Sequence, residues 1–487
     1  MRKNKQDNPR SGSISVFLIC LLSGMISVFF LMYGSASFRT LESIVLWNGE
    51  NAGQSILSYY LPELKERYDL FGFWGETEIL EHRMGVFVEE SSPFWNDAMS
   101  EGLLKAECLD LNVSTEAYRM MDPVRIKIQM DAVMKYGALV ELSRENQWIE
   151  TMKEILTLAG EGLERKEASD NSSVQRSGEN RSQTESGEEV EAKMAQLKET
   201  AVQKEQLGEE AMGQISLEDG CVLENEAVIR SLPSRKADTS GWKNSWALLR
   251  EDPNNLGTVI RSSLSTDMYA LHYFGSYVER QGGWFRCQLE YILQGELSDE
   301  ENLKKTKRDL FFLRTLFNLA AISRDDILNQ TIGVMAAAAA PIPYPVAFGI
   351  LSAAYSAQEA GNDVKMLMNG EYVPVVKSAG QWSSLDIMSK TDAEGGTQGN
   401  AEKVPGFDTE LSYENHLWIL LMLRSQETKV LRMMDLIQLD LSRSFGQEFT
   451  LDELCCGFHW KLHTVLKNSL GKEKLWTCEG DSMYGTE

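Results

Sequence analysis

"SGSISVFLICLLSGMISVFFLMYGSASFRT" spans Ser11 to Thr40, and no charged residue falls between Ser11 and Phe38. A helix rises 1.5 Å per residue, so roughly 20 apolar residues cross a hydrocarbon core. Ile14 to Phe38 is long enough to do so with some tilt. Four uses fit such a stretch: a removable export signal, a permanent anchor, the spine of a fibre subunit, or a buried core helix. A secretory signal has an apolar core of only about 7–15 residues, so the longer run favours a retained anchor. Gly34-Ser35-Ala36 is still a small-residue site of the kind a signal peptidase cuts.

The flanks set the orientation. Arg2, Lys3, Lys5 and Arg10 precede the stretch with only Asp7 opposing them, whereas Arg39 stands almost alone after it. Basic flanks stay cytoplasmic. Residues 1–12 are therefore expected to be a cytoplasmic basic tail, 13–38 a single anchor in the cell membrane, and the rest extracytoplasmic.

The chain has 487 residues, a net charge of −24 and 43% apolar residues. That length allows two or three domains and a large core. Nucleic acid phosphates attract basic surfaces, so an acidic chain of this kind is not expected to bind them. No basic patch for an anionic membrane surface is apparent beyond the N-terminal tail. The seven cysteines, Cys20, Cys108, Cys221, Cys287, Cys455, Cys456 and Cys478, form no CxxC pair and no dense framework. One bridge among them is open, and the sequence does not choose it.

Periodicity predicts a mainly helical α+β chain. Arg39–Leu70 reads as a helix continuing the anchor, broken by "YDLFGFWG" at Tyr68–Gly75. "LLKAECLDLNVSTEAY" alternates as a strand does, and Asp122-Pro123 looks like a helix start. "DEENLKKTKRDLFFLRTLFNLAAI" and "YENHLWILLMLRSQETKVLRMMDLIQLDL" read as helices. "CCGFHWKLHTVL" places Phe458, Trp460, Leu462 and Thr464 on one face of a strand.

Residues 165–235 are rich in Ser, Glu, Gly, Asn and Gln, and their first half is almost without aliphatics. They are expected to be a disordered acidic linker, with a transient helix at Ala192–Glu210, because such composition buries too little apolar area to offset ordering entropy. The extracytoplasmic part would then fall into 39–164 and 236–487. Within the latter, 327–358 carries no charge and contains Pro341, Pro343 and Pro345. Two readings stay open: a buried Ala/Pro-rich hairpin, which the prolines favour, or a second membrane span.

Candidate chemistry is thin. His459 and His463 are four apart, but Trp460 stands where HExxH needs Glu. Glu359 and Asp363 could share a helix face as paired carboxylates, or pair with a buried arginine such as Arg314 or Arg432. Arg432 and Asp435 are spaced for a local ion pair. Gly295 and Gly370 follow helices as C-caps would. No GxSxG, P-loop or GxGxxG occurs. No catalytic, cofactor or metal site is expected, and the chain is read as a non-enzyme.

These residues resemble a family. "SGSISVFLICLLSGMISVFF" is similar to the GSITVF- or GSITVE-type opening of TadE/TadG-like proteins of the Tad (Flp) pilus system. "LKERYDLFGF", "IKIQMDAVMKYGA", "LEYILQGELSDEENLKK", "SAQEAGNDVKMLMNGEYVPVVKS" and "YENHLWILLML…RMMDLIQLDL" resemble, in consistent order, large membrane-anchored proteins of Gram-positive bacteria. Those carry a domain of unknown function and accompany Tad pilus genes. The resemblance implies an extracytoplasmic role beside that machinery and no activity. Gly12-Ser13 is a candidate processing site, but Phe17 stands where prepilin peptidase substrates carry Glu, so an uncleaved N-terminus is expected. The small surfaces at Gly24 and Gly34 suit close packing of the membrane helix. The expected partners are Tad pilin-like subunits or membrane platform proteins, and the expected function is structural or in assembly. A ligand-binding or sensory ectodomain, and less so a cell-envelope hydrolase, are the alternatives.

Overall fold

The computed structural model describes residues 11–91, 104–134, 184–213, 217, 219–236, 256–384 and 410–485. The fold is mainly helical α+β with a long apolar helix at the N-terminus. It divides into two compact units, Met1–Gln129 with Thr450–Glu487, and Met130–Phe449. The sequence-based boundary at a linker is thus replaced by one in which the C-terminal strands complete the N-terminal unit.

In the first unit, helix α1 (Ser11–Leu57) runs unbroken for 47 residues, about 70 Å. Its first half projects apolar side chains outward, with Phe17 and Leu31 each 66% exposed. Its second half is embedded, with Leu41 and Val45 at 0% and 1%. The change comes at Gly34, from which buried positions recur along the helix. The expected continuation to Leu70 is corrected: α1 stops at Leu57 and α2 (Pro62–Tyr68) begins anew. Pro62 has no N–H to donate back and biases Leu61 to extended geometry, observed at φ −76°, ψ 113°.

The embedded half of α1 lies on an antiparallel sheet. Strands β2 (Lys105–Ser114), β6 (Gly457–Lys467) and β7 (Glu473–Met483) are ordered β2-β6-β7, with a bulge between Cys108 and Asp110. Alternation along β6 sends Phe458, Trp460, Leu462 and Leu466 into one core with α1 and α3 (Thr77–Ser91). A two-residue pairing of β1 (Phe73–Trp74) with β5 (Leu454–Cys455) closes the end. Helix α4 (123–134) starts at Pro123, and the Asp122 carboxylate accepts the Val124 N–H at 2.9 Å, as a start signal should.

The second unit is helical. It contains α5 (Thr184–Ala211), α6 (Glu226–Ser231), α7 (Leu256–Tyr273), α8 (Gln288–Gln294), α9 (Asp299–Arg324), α10 (Asp326–Ala338), α11 (Tyr344–Met368), α12 (Tyr413–Met422) and α13 (Gln426–Phe445). One two-residue strand pair, β3 (Val373–Pro374) with β4 (Glu410–Leu411), accompanies them. The run read as one helix from Tyr413 is two, because Ser425 caps α13 through its hydroxyl on the Thr428 N–H.

Part of the expected linker is ordered. Thr184–Ala211 is a 28-residue helix whose Leu197 joins a core with Ile332 and Ala347. The helix expected as transient at Ala192–Glu210 lies inside it, and composition understated its order because the few apolar side chains of α5 meet a core formed by helices far along the chain. The expected Ala/Pro-rich element forms as two helices, α10 and α11, joined across a tight turn. Leu328, Ile332 and Leu351 face inward while Ile327 and Val334 are exposed, so its burial is one-sided. Among the described residues, one helix is long and apolar enough to cross a membrane, and it lies in Ser15–Leu57.

Candidate functional site

Three glycines fit α1 to its sheet. Gly49 and Gly53 are one turn apart, and Gly480 stands opposite Trp460 in the β6–β7 register. The Trp460 indole is fully buried between them. A Cβ on Gly49 would come within 2.5 Å of the ring, one on Gly480 within 2.6 Å, and one on Gly53 within 2.1 Å of the Ser482 hydroxyl. Any side chain at these points would push helix and sheet apart. Nearer the apolar half, Tyr33 and Ser469 hydroxyls lie 3.1 Å apart, and Lys474 pairs with Glu42. The apolar half is therefore held in a fixed direction by the unit's own sheet.

The second unit holds a buried charge cluster. On α11, Glu359 and Asp363 share a face one turn apart, and both are fully buried. Arg314 on α9 reaches Asp363 with Nε–Oδ2 at 3.0 Å and Nη2–Oδ2 at 2.9 Å, and Asn318 donates to the same oxygen at 2.9 Å. The Lys377 ammonium bridges Asp363 and Glu359. Glu359 also accepts the Ser383 and Ser384 N–H groups at 2.8–3.1 Å, tying that loop to α11. Burial alone would push the Asp363 carboxyl up, but the adjacent Arg314 and Lys377 hold it below its ordinary value. His416, also fully buried, is driven down to about 3 by burial and by the Arg314 charge, so it stays neutral.

Other buried carboxylates work the same way. Asp299 accepts the Cys221, Arg286 and Cys287 N–H groups at 2.9–3.0 Å. Asp435 takes the Ser234 N–H and the Tyr291 hydroxyl, and Asp440 the Trp284 N–H. Glu290 takes the Tyr277 N–H and the Tyr413 hydroxyl. Buried acids thus fasten loops onto helices, since a loop amide left unpaired inside would cost about 1–3 kcal/mol. The arrangement positions backbone.

Each residue singled out in the sequence now has a place. Glu359 and Asp363 are brought together, with Arg314 as the partner. Arg432 and Asp435 instead face different tasks: Arg432 donates to the Ile292 and Leu293 carbonyls at the end of α8, and Asp435 holds the Ser234 loop. Gly295 takes φ +71° as the α8 cap, and Gly370 takes φ +78° just past α11. His459 and His463 lie on the outward face of β6, bonded to Asp481 and Thr477 rather than to each other. Gly34 faces Leu470 and Asn468 of the β6–β7 turn, whereas nothing among the described residues comes within 4 Å of a Cβ on Gly24. Gly12 and Ser13 lie in the first turn of α1. Among the described residues no His, Cys, Asp and Glu group is placed to hold a metal ion, and the seven cysteines are free thiols. The sequence reading singled out neither Lys377, although it lies in the same Ser356–Ser378 stretch as Glu359 and Asp363, nor Asn318, which lies on another helix.

Residues 187–465 match DUF5702, described as a family of unknown function. The chain belongs to that family. The DUF5702 match begins inside α5 and ends in β6, so it takes in the helix that composition had suggested was linker and the whole charge cluster. No curated protein and no solved structure matches the chain.

Proposed function

We propose that this chain is a membrane-anchored structural or assembly protein, with its folded units outside the cell membrane, acting beside a Tad (Flp)-type pilus or secretion system. The observation that carries the reading is α1. One helix has an outward-facing apolar half of membrane-spanning length and an embedded half locked to the chain's own sheet. A cleavable leader has no need of that second half, and removal at Gly34-Ser35-Ala36 would cut at the start of the embedded half. The basic flank Arg2–Arg10 supports an inside N-terminus. The GSISVF opening and the ordered motifs support the Tad neighbourhood.

The exposed half offers the docking face toward pilin-like or platform helices. Gly34 is already engaged by Leu470, so Gly24 is the small surface left for a close helix crossing. Phe17, where a pilin carries Glu, directs the protein to a place beside the shaft. The test is deletion of the gene with counting of surface pili, complemented by Gly24→Leu. Loss of pili on deletion, and weaker co-purification of pilin-like or platform proteins with Gly24→Leu, is the expected result. Normal piliation in the deletion strain overturns the assembly role.

A further inference from the structure

The strongly acidic chain carries one end of its sheet that is not acidic. The β6–β7 turn reads "KNSLGKEKLW" from Lys467 to Trp476. In register, Lys105 of β2 stands opposite Lys467, and Lys467 opposite Glu473. With Lys472, Lys474 and Arg39, this end gathers five cations among the described residues, Arg39, Lys105, Lys467, Lys472 and Lys474. Four carboxylates, Glu42, Glu89, Glu107 and Glu473, oppose them, with Glu89 of α3 acting on Cys108 of β2, so this end keeps one net positive charge in a protein of net charge −24. Leu470 at the turn and Leu475 just after it are 38% and 74% exposed. Two leucines left in water among lysines are the pattern of a surface that meets lipid.

The place of this turn along α1 is fixed. The Ser469 hydroxyl is 3.1 Å from the Tyr33 hydroxyl, and Leu470 Cδ1 is 3.4 Å from a Cβ on Gly34. Gly34 is where α1 passes from exposed apolar to embedded. If Val16–Tyr33 occupies the hydrocarbon, the turn sits at the headgroup level. We propose that the β6–β7 turn is a second membrane contact, with Leu470 and Leu475 dipping into the interface and the lysines facing anionic headgroups. The occupant is the bilayer, selected by charge complementarity and by continuity with the anchor. Contact at the turn adds to the anchor a point that sets the tilt of α1 and of the sheet packed on it.

This proposal rests on α1 being a span, and the test separates the two. The full-length protein is reconstituted into bilayers of phosphatidylcholine, with or without phosphatidylglycerol. A benzoylphenylalanine photocrosslinker replaces Leu470, Leu475 or, as a control further along β7, Glu479. Lipid adducts at 470 and 475 but not at 479 are expected, several-fold more abundant with phosphatidylglycerol. Lys472→Glu with Lys467→Glu should remove that lipid preference while leaving the protein in the membrane. Adducts only to protein, or none at 470 in a protein that resists carbonate extraction, overturn the turn contact alone. Release by carbonate overturns the anchor and the contact together.

Discussion

Arg314 and Asp363 form an ion pair at 2.9 Å in which neither side chain has any exposed surface. Two ions taken out of water are tolerated because Asn318, the Pro374 carbonyl and Lys377 occupy the remaining directions. Removing one partner strands the other, which typically costs about 3–5 kcal/mol. Asp363→Ala should therefore lower stability by that amount in urea unfolding of the detergent-solubilised protein. The double variant Arg314→Met with Asp363→Leu leaves Lys377 and Glu359 as a neutral pair and should recover most of the loss. A single-variant effect under about 1 kcal/mol, the value of an exposed pair, would show that the cluster does not lock α9 to α11.

Gly208 and Gly361 mark a close crossing of α5 and α11. A Cβ on Gly361 would lie 2.0 Å from the Gly208 carbonyl oxygen, and one on Gly208 2.5 Å from the Ala357 carbonyl. Backbone cannot yield as a flexible side chain can, so overpacking should cost at least about 1–3 kcal/mol. Gly361→Ala is expected to loosen α5 and expose Thr184–Ala211 to limited proteolysis. Gly213→Ala removes a glycine near the end of α5 that has nothing within 4 Å, so it introduces no clash, though its φ of +68° strains it. Protease resistance of α5 in Gly361→Ala equal to wild type would contradict the crossing.

Glu290 gives the pH dependence a sign. Burial pushes its carboxyl from 4.5 up to about 7. The unfolded chain gives up this proton near 4.5 and the folded chain keeps it to about 7, so the contribution is complete below 4.5 and lost as pH rises through the window. The loss is up to about 1.4 kcal/mol per pH unit. Neutral His416 acts oppositely, costing stability as pH falls from 6.5 toward about 3. Comparing wild type with Glu290→Gln cancels the His416 effect. The variant's urea midpoint should rise relative to wild type between about pH 5 and pH 7, and a constant difference would contradict the neutral buried acid.

Sequence reading reached the long apolar helix at the N-terminus, the strand of Phe458, Trp460 and Leu462, and a buried arginine beside Asp363, for which it offered Arg314 or Arg432, because each leaves a local trace. An uncharged run, a period of two and a carboxylate pair on a helix face are visible over a few residues. It reached the helix of α5 at Ala192–Glu210 but read it as transient, because its packing comes from Ile332, Ala347 and the Ala357–Gly361 backbone, more than a hundred residues away. It missed the joining of β2 to β6 and the basic end of that sheet, since Lys105 and Lys467 meet only through register. Global charge hid that local surplus.

The account turns on a single anchor with the folded units outside. Glu479 is exposed on β7, so Glu479→Cys presents a thiol to a membrane-impermeant maleimide, with the wild-type chain as the blank. Labelling of intact cells at the level seen after permeabilisation is the predicted result. Labelling only after permeabilisation would place β7 in the cytoplasm and contradict the account.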